Sequence, residues 1–200
     1  MKRSLAAFLA VVGLVAYVTM PPVTFASGLE IGSTVESFSL SDTDGKTQTL
    51  DGLKGKNGTV VVWLSAQCPV VAGYKDRINE IAAAYQAKGI SFIGINSNAT
   101  EDLTWVKTNI AEFGYKFPVL IDKDNVLADK WGATVTPEVY FLDAKNTLLY
   151  HGAIDNDRSG KNVQEQFLKT AFESALSGKT IAKTKTAAFG CSIKKAGKPA

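Results

Sequence analysis

The spacing of apolar and polar residues changes several times along the chain, and each change marks an element. From Ser37 to Leu40 and from Thr47 to Leu50 the two alternate around Asp42-Thr43-Asp44-Gly45, a turn-forming group, which predicts a β-hairpin. Thr59-Val60-Val61-Val62-Trp63-Leu64 is an unbroken β-branched and apolar run, the pattern of a strand covered on both faces. After Cys68-Pro69 the period lengthens. Ile78, Ile81, Ala82 and Tyr85 recur at helical spacing, and Gly89 stands where a helix C-terminal glycine belongs. Ile90 to Ile95 predicts a second buried strand, parallel to the first because a helix separates them.

The second half repeats this logic. Glu101 to Phe113 predicts a helix capped by Asn98 or Thr100, with Trp105, Val106, Ile110 and Phe113 on one face. Phe117 to Ile121 predicts a strand and Asn125 to Trp131 a short helix, followed by a hairpin of Glu138 to Leu142 and Thr147 to His151. Asn162 to Leu176 carries Val163, Phe167, Leu168, Ala171, Phe172 and Leu176 in helical register before Gly178. The expected class is α/β, three layers with a central mixed sheet and an N-terminal hairpin.

The N-terminus follows a different rule. Met1-Lys2-Arg3, an apolar run from Leu5 to Val18 and the small-residue stretch Thr24-Phe25-Ala26-Ser27 have the layout of a secretory signal peptide, with cleavage expected after Ala26. An uncleaved anchor is the alternative, but the run is short beside the ~20 apolar residues of a spanning helix. The chain thus divides into a leader at 1–26, a domain at 27–178 and a tail at 179–200 that carries Cys191. A periplasmic or secreted location follows, with no membrane attachment after cleavage. Composition is that of an ordinary core-forming protein, 46% hydrophobic and 20% charged over 200 residues. Without Lys2 and Arg3 the chain has 20 basic and 19 acidic residues, a net charge of +1, which implies no nucleic acid or other polyanion partner. The last 22 residues hold six lysines and no acids, the composition of a solvated tail.

Candidate chemistry centres on Cys68, one of two cysteines, both on the exported side where disulfides persist. At the start of a helix its thiolate would be favoured by unpaired N–H groups and the positive end of the helix dipole, which lower a thiol pKa from ~8.5 by one to several units. Pro69 suits the first helical turn, where its missing N–H costs little. The bland reading of Cys68 is a small buried hydrophobe. Ser-His-Asp arrangements and glycine-rich phosphate loops do not stand out, and Asp122, Asp124, Asp155 and Asp157 sit where turns favour Asp. Arg77 is expected at the surface and His151, the only histidine, at a half-exposed strand end. Trp63, Trp105 and Trp131 fall at core spacings. No cofactor or metal is expected.

The segment Val60 to Tyr74, VVVWLSAQCPVVAGY, with Thr136-Pro137-Glu138-Val139-Tyr140-Phe141-Leu142-Asp143 downstream, resembles the thioredoxin superfamily, and within it the redoxins grouped with alkyl hydroperoxide reductase and thiol-specific antioxidant proteins. The resemblance implies a thioredoxin fold and an exported thiol-dependent oxidoreductase, with Cys68 attacking a disulfide-bearing protein or a peroxide and an external thiol as reductant. It makes Pro69, Ser65, Thr136 and Pro137 the substrate-binding set. Thr136-Pro137 takes the place of the family's cis-proline, which would expose the Thr136 backbone for pairing with an extended segment.

Departures from the family pattern matter as much. Val71 stands where dithiol members carry a second cysteine, so Cys68 lacks the usual local partner. Peroxidase members place Thr or Ser three residues before the reactive cysteine, as Ser65 does here, but Val61 replaces their proline and neither Arg77 nor Arg158 sits where their arginine is expected. Several redoxin-like exported proteins resemble this chain in ending with Gly-Cys-Ser-Ile-Lys, which makes Cys191 the possible resolving thiol, with Phe189 and Ile193 placed to dock it on an apolar groove. A free or intermolecular Cys191 is the other reading. If Cys68 is unreactive, the chain is instead a redox-inert scaffold or chaperone-like binding module.

Overall fold

The computed structural model of the protein describes residues 28–197, so the expected leader lies outside the described residues. The sheet is built outward from β3, Gly58–Leu64, buried at every position. Its odd and even residues face opposite ways, as a pleated strand dictates. Val60, Val62 and Leu64 join one apolar cluster, Val61 and Trp63 the other. A strand with two apolar faces needs helices on both, and this chain supplies them.

α2, Pro69–Gln86, α3, Leu103–Phe113, and α5, Phe167–Leu176, cover the first face. On the second lie α1, Leu50–Leu53, and α4, Val126–Trp131. β3 pairs in parallel with β4, Ile90–Asn96, and antiparallel with β7, Glu138–Leu142. β4 continues in parallel to β5, Val119–Ile121, and β7 antiparallel to β8, Leu148–Gly152. The hairpin of β1, Ser39–Asp42, and β2, Thr47–Thr49, completes a seven-stranded mixed sheet ordered β2-β1-β5-β4-β3-β7-β8. This is the thioredoxin-type arrangement expected from sequence.

Boundaries differ from the sequence expectation where side chains compete for backbone groups. α3 starts at Leu103, because the Asp102 carboxylate, rather than Asn98 or Thr100, accepts from Trp105 N at 2.8 Å. Trp105 is then half exposed instead of packed. α5 starts five residues later than its apolar register suggests: Asn156 Oδ1 accepts from the N–H groups of Gln164 and Glu165, which holds that stretch as a loop and leaves Val163 outside the helix.

The tail differs most. Beyond α5 the chain returns along β8: His151 N donates to Thr184 O and Thr186 N to His151 O, both at 3.0 Å. Gly152 permits this route, since a Cβ there would stand 2.3 Å from Thr186 O. Farther on, Cys191–Ser192 forms β9, antiparallel to β6, Val135–Thr136. Ile193 is buried in the second cluster, while Asn98 Oδ1 accepts from Lys194 N at 3.0 Å and Asn125 Oδ1 from Ala196 N at 2.6 Å. A lysine-rich composition suggested a solvated segment. The alternating Phe189, Cys191 and Ile193 dock it instead, while Lys179, Lys183, Lys185 and Lys194 stay exposed and Lys195 pairs with Asp129.

Candidate functional site

β3 delivers the chain to a short loop, Ser65-Ala66-Gln67, and α2 begins directly after it with Cys68 as N-cap and Pro69 in its first turn. Pro69 costs no helical hydrogen bond there, and the helix N–H groups left without intrahelical acceptors lie next to the cysteine. Cys68 itself is only 3% exposed. It is bonded to Cys191, 123 residues later, with the two Cα atoms 5.8 Å apart, within the ordinary range for a disulfide. Between the two readings of Cys191, the structure therefore adopts the internal pair. Val71, at the place of the missing local partner, is buried in the core.

The opposite wall is the Thr136–Pro137 peptide, which is cis, as the resemblance implies. Cys68 Sγ lies 3.3 Å from Thr136 O; in the disulfide this is a contact, and a reduced thiol would donate a hydrogen bond along it. Thr136 pairs in register with Cys191, and its hydroxyl donates to Cys191 O at 3.4 Å. The edge expected to receive an external segment is thus occupied by the chain's own.

Two carboxylates support this arrangement. Glu101 reaches under the loop before Cys68, accepting from Ser65 Oγ, from Ala66 N at 2.8 Å, from Gln67 N at 3.1 Å and from Asn96 Nδ2 at 2.6 Å. Ser65, expected to contact substrate, is buried and spends its hydroxyl proton on Glu101. Glu138, buried directly after Pro137, accepts from Thr134 N at 2.8 Å and faces His151 Nε2 at 2.6 Å. His151 is correspondingly less exposed than expected, with its ring stacked on Tyr140 at 4.1 Å. Neither carboxylate was singled out from sequence. Glu101 stood at the start of an assumed helix, and Glu138 sat among strand residues; a charge inside a run destined for full burial was the available signal.

Arg77 also departs from expectation. Its guanidinium donates to Asp155 Oδ2 at 2.6 Å and to Asp157 O at 2.8 Å and lies 3.5 Å over the Tyr74 ring, so it is clamped rather than free on the surface. Asp155 also accepts from the Tyr74 hydroxyl at 2.6 Å. Asp122 likewise does more than turn the chain, since its carboxylate accepts from Leu127 N and Ala128 N at the start of α4.

The Redoxin family model matches residues 30–166, more than half of the chain. The chain belongs to the Redoxin family. Among curated relatives, this redoxin is 29% identical over 115 residues to the thiol-disulfide oxidoreductase ResA of Bacillus thuringiensis strain Al Hakam, an alignment that covers 58% of this chain and 65% of that protein. Of the solved structures, a hypothetical protein from Sinorhizobium meliloti 1021 is 30% identical, with a TM-score of 0.78 over 86% of this redoxin and 97% of that chain. An uncharacterized conserved protein from Geobacillus kaustophilus is 28% identical, with a TM-score of 0.79 over 85% and 94% of the two chains. Both structural matches exceed the span of the family model, which ends before Cys191. No helix of the described residues is long and apolar enough to cross a membrane.

Proposed function

We propose that this redoxin is an exported thiol-disulfide oxidoreductase in which Cys68 is the exchanging thiol and Cys191 resolves its mixed disulfides. One observation carries the reading: a reactive-type cysteine at a helix N-terminus, deprived of its local partner by Val71, is paired across the fold with the single other cysteine. The reduced Cys68 thiolate attacks one sulfur of a substrate disulfide, forms a new S–S bond and expels the other sulfur as thiolate. Cys191 then attacks Cys68 Sγ, which releases the second substrate thiolate and leaves the internal disulfide. Two electrons pass from protein to substrate, and an external thiol reductant returns them.

Similarity to a thiol-disulfide oxidoreductase supports disulfides over peroxides as substrate. So does the clamping of Arg77 by Asp155, which leaves that arginine engaged far along α2 rather than free to polarise a peroxide. The signal-peptide layout read in the sequence at residues 1–26 supports a periplasmic or secreted location, where such substrates occur.

The test is turnover of a peptide disulfide with dithiothreitol as reductant. Wild type turns over above the uncatalysed rate and Cys68→Ser does not, while reduced Cys191→Ser, freed of dithiothreitol before it meets the peptide disulfide, accumulates a mixed disulfide on Cys68 visible by mass spectrometry. Turnover by Cys68→Ser at the wild-type rate would overturn the assignment.

A further inference from the structure

The way the tail is seated describes what else can sit there. Phe189 packs against the first apolar cluster with its ring 6.3 Å from that of Tyr74. Gly190 follows, pressed against the edge: a Cβ built on it would stand 1.9 Å from Thr136 O and 2.6 Å from Thr136 C. Both are backbone atoms of a segment anchored by the Glu138 carboxylate, which accepts from Thr134 and Val135 N–H. They cannot swing aside as a flexible side chain would. Cys191 then meets Cys68, and Ile193 fills the second cluster while Ile193 N donates to Thr134 O at 2.9 Å.

We propose that the Thr136–Pro137 edge is selective for an extended segment whose cysteine is preceded by glycine, with an apolar residue two positions before the cysteine and another two after it. The proposal rests on the exchange reading given above and specifies its substrate class. An attacking thiolate must approach along the S–S axis, so a substrate cysteine undergoing exchange with Cys68 occupies the place of Cys191, and its preceding residue the place of Gly190. A side chain there collides with Thr136 O unless the peptide leaves the edge, which forfeits the backbone pairing that holds it. Gly190 is by the same argument the residue that lets the chain's own tail compete for the site.

The probe is a pair of five-residue peptides, Phe-Gly-Cys-Ser-Ile and Phe-Ala-Cys-Ser-Ile, each with its cysteine as the 2-thiopyridyl mixed disulfide. Cys68 thiolate of the reduced full-length chain attacks the peptide sulfur, and pyridine-2-thione, the weaker base, departs and is followed by its absorbance. Cys191, on a tail held off the edge by the peptide, next attacks Cys68 Sγ from the side opposite the peptide sulfur, displaces the peptide as thiolate and closes the internal disulfide as the tail takes its seat. The glycine peptide is expected to react about tenfold faster or more, the scale on which a rigid pocket discriminates one small group. In Gly190→Ala the tail no longer seats, so the glycine peptide accumulates as a mixed disulfide on Cys68. Equal rates for the two peptides, or closure of the internal disulfide by Gly190→Ala as complete as in wild type, would overturn the selectivity. Release of thione by neither peptide above the rate of Cys68→Ser would instead remove the exchange reading beneath it.

Discussion

At the scale of single residues, Glu101 shows how a loop is held by a group that makes no hydrogen bond to the cysteine it positions. Its carboxylate gathers four donors, two of them backbone N–H groups of the loop that carries Cys68. Hydrogen bonds to a charged acceptor contribute about 1.5–3 kcal/mol when buried, and this side chain is partly solvated, so the lower end applies. Glu101→Gln turns one acceptor oxygen into a donor facing other donors. The expected outcome is a loss of about 1–2 kcal/mol, read from the denaturant midpoint, together with slower exchange at Cys68. Unchanged exchange in a destabilised variant would restrict Glu101 to a structural role.

Among elements, β9 is the one anchored by a covalent bond. It is two residues long, pairs with a strand of equal length, and by itself would be marginal. The Cys68–Cys191 disulfide closes a loop of 123 residues, and in the chain-entropy picture such a cross-link is worth about 4–5 kcal/mol, of which native disulfides typically deliver 2–4. Cys191→Ser is therefore expected to lower stability by about 2–4 kcal/mol by chemical denaturation under oxidising conditions. Under reducing conditions the wild type should fall to the same level. Limited proteolysis would then cut among residues 186–194 in the reduced protein and spare them in the oxidised one.

Much of this element map is legible in the sequence because the core strands announce themselves. Val60 to Leu64 has no polar residue and Ile90 to Ile95 has Ser91 alone, too little for an exposed face, and Cys68-Pro69 falls where strand must become helix. The tail was harder. Six lysines dominate its composition, and the features that dock it are few: the alternation of Phe189, Cys191 and Ile193, and two glycines whose requirement appears only once a second strand lies against them. Glu101 and Asp102 were misassigned to the body of a helix because periodicity cannot distinguish a first turn from the cap before it.

For the whole molecule, buried phenols predict a loss of stability at alkaline pH. Burial raises the Tyr150 hydroxyl to about 12, with the nearby Asp155 charge adding to the rise and the Thr186 hydroxyl opposing it. Burial likewise raises Tyr74, Tyr85, Tyr115 and Tyr140. The sign follows from linkage. Below about pH 10, the ordinary tyrosine value, folded and unfolded chains both keep the proton and the stabilisation is complete. From about pH 10 to 12 the unfolded chain releases a proton that the folded Tyr150 retains, so stability falls as pH rises. Unfolding free energy measured across that window should decline, Tyr150 alone accounting for about 2 kcal/mol, and Tyr150→Phe should decline less steeply. A Phe variant with the wild-type slope would place the titration elsewhere.

The length of chain between the two cysteines has a consequence during synthesis. At 5–20 residues per second, Cys191 follows Cys68 off the ribosome by about 6–25 s, after every strand of the main sheet has been made. Throughout that interval Cys68 has no internal sulfur to meet, and a chain cut short before its last strand never acquires one. Closure of the bond thus reports that a molecule has been translated as far as β9 and has brought β6 and β9 together, whereas one truncated before Cys191 or misassembled still carries an unmated thiol.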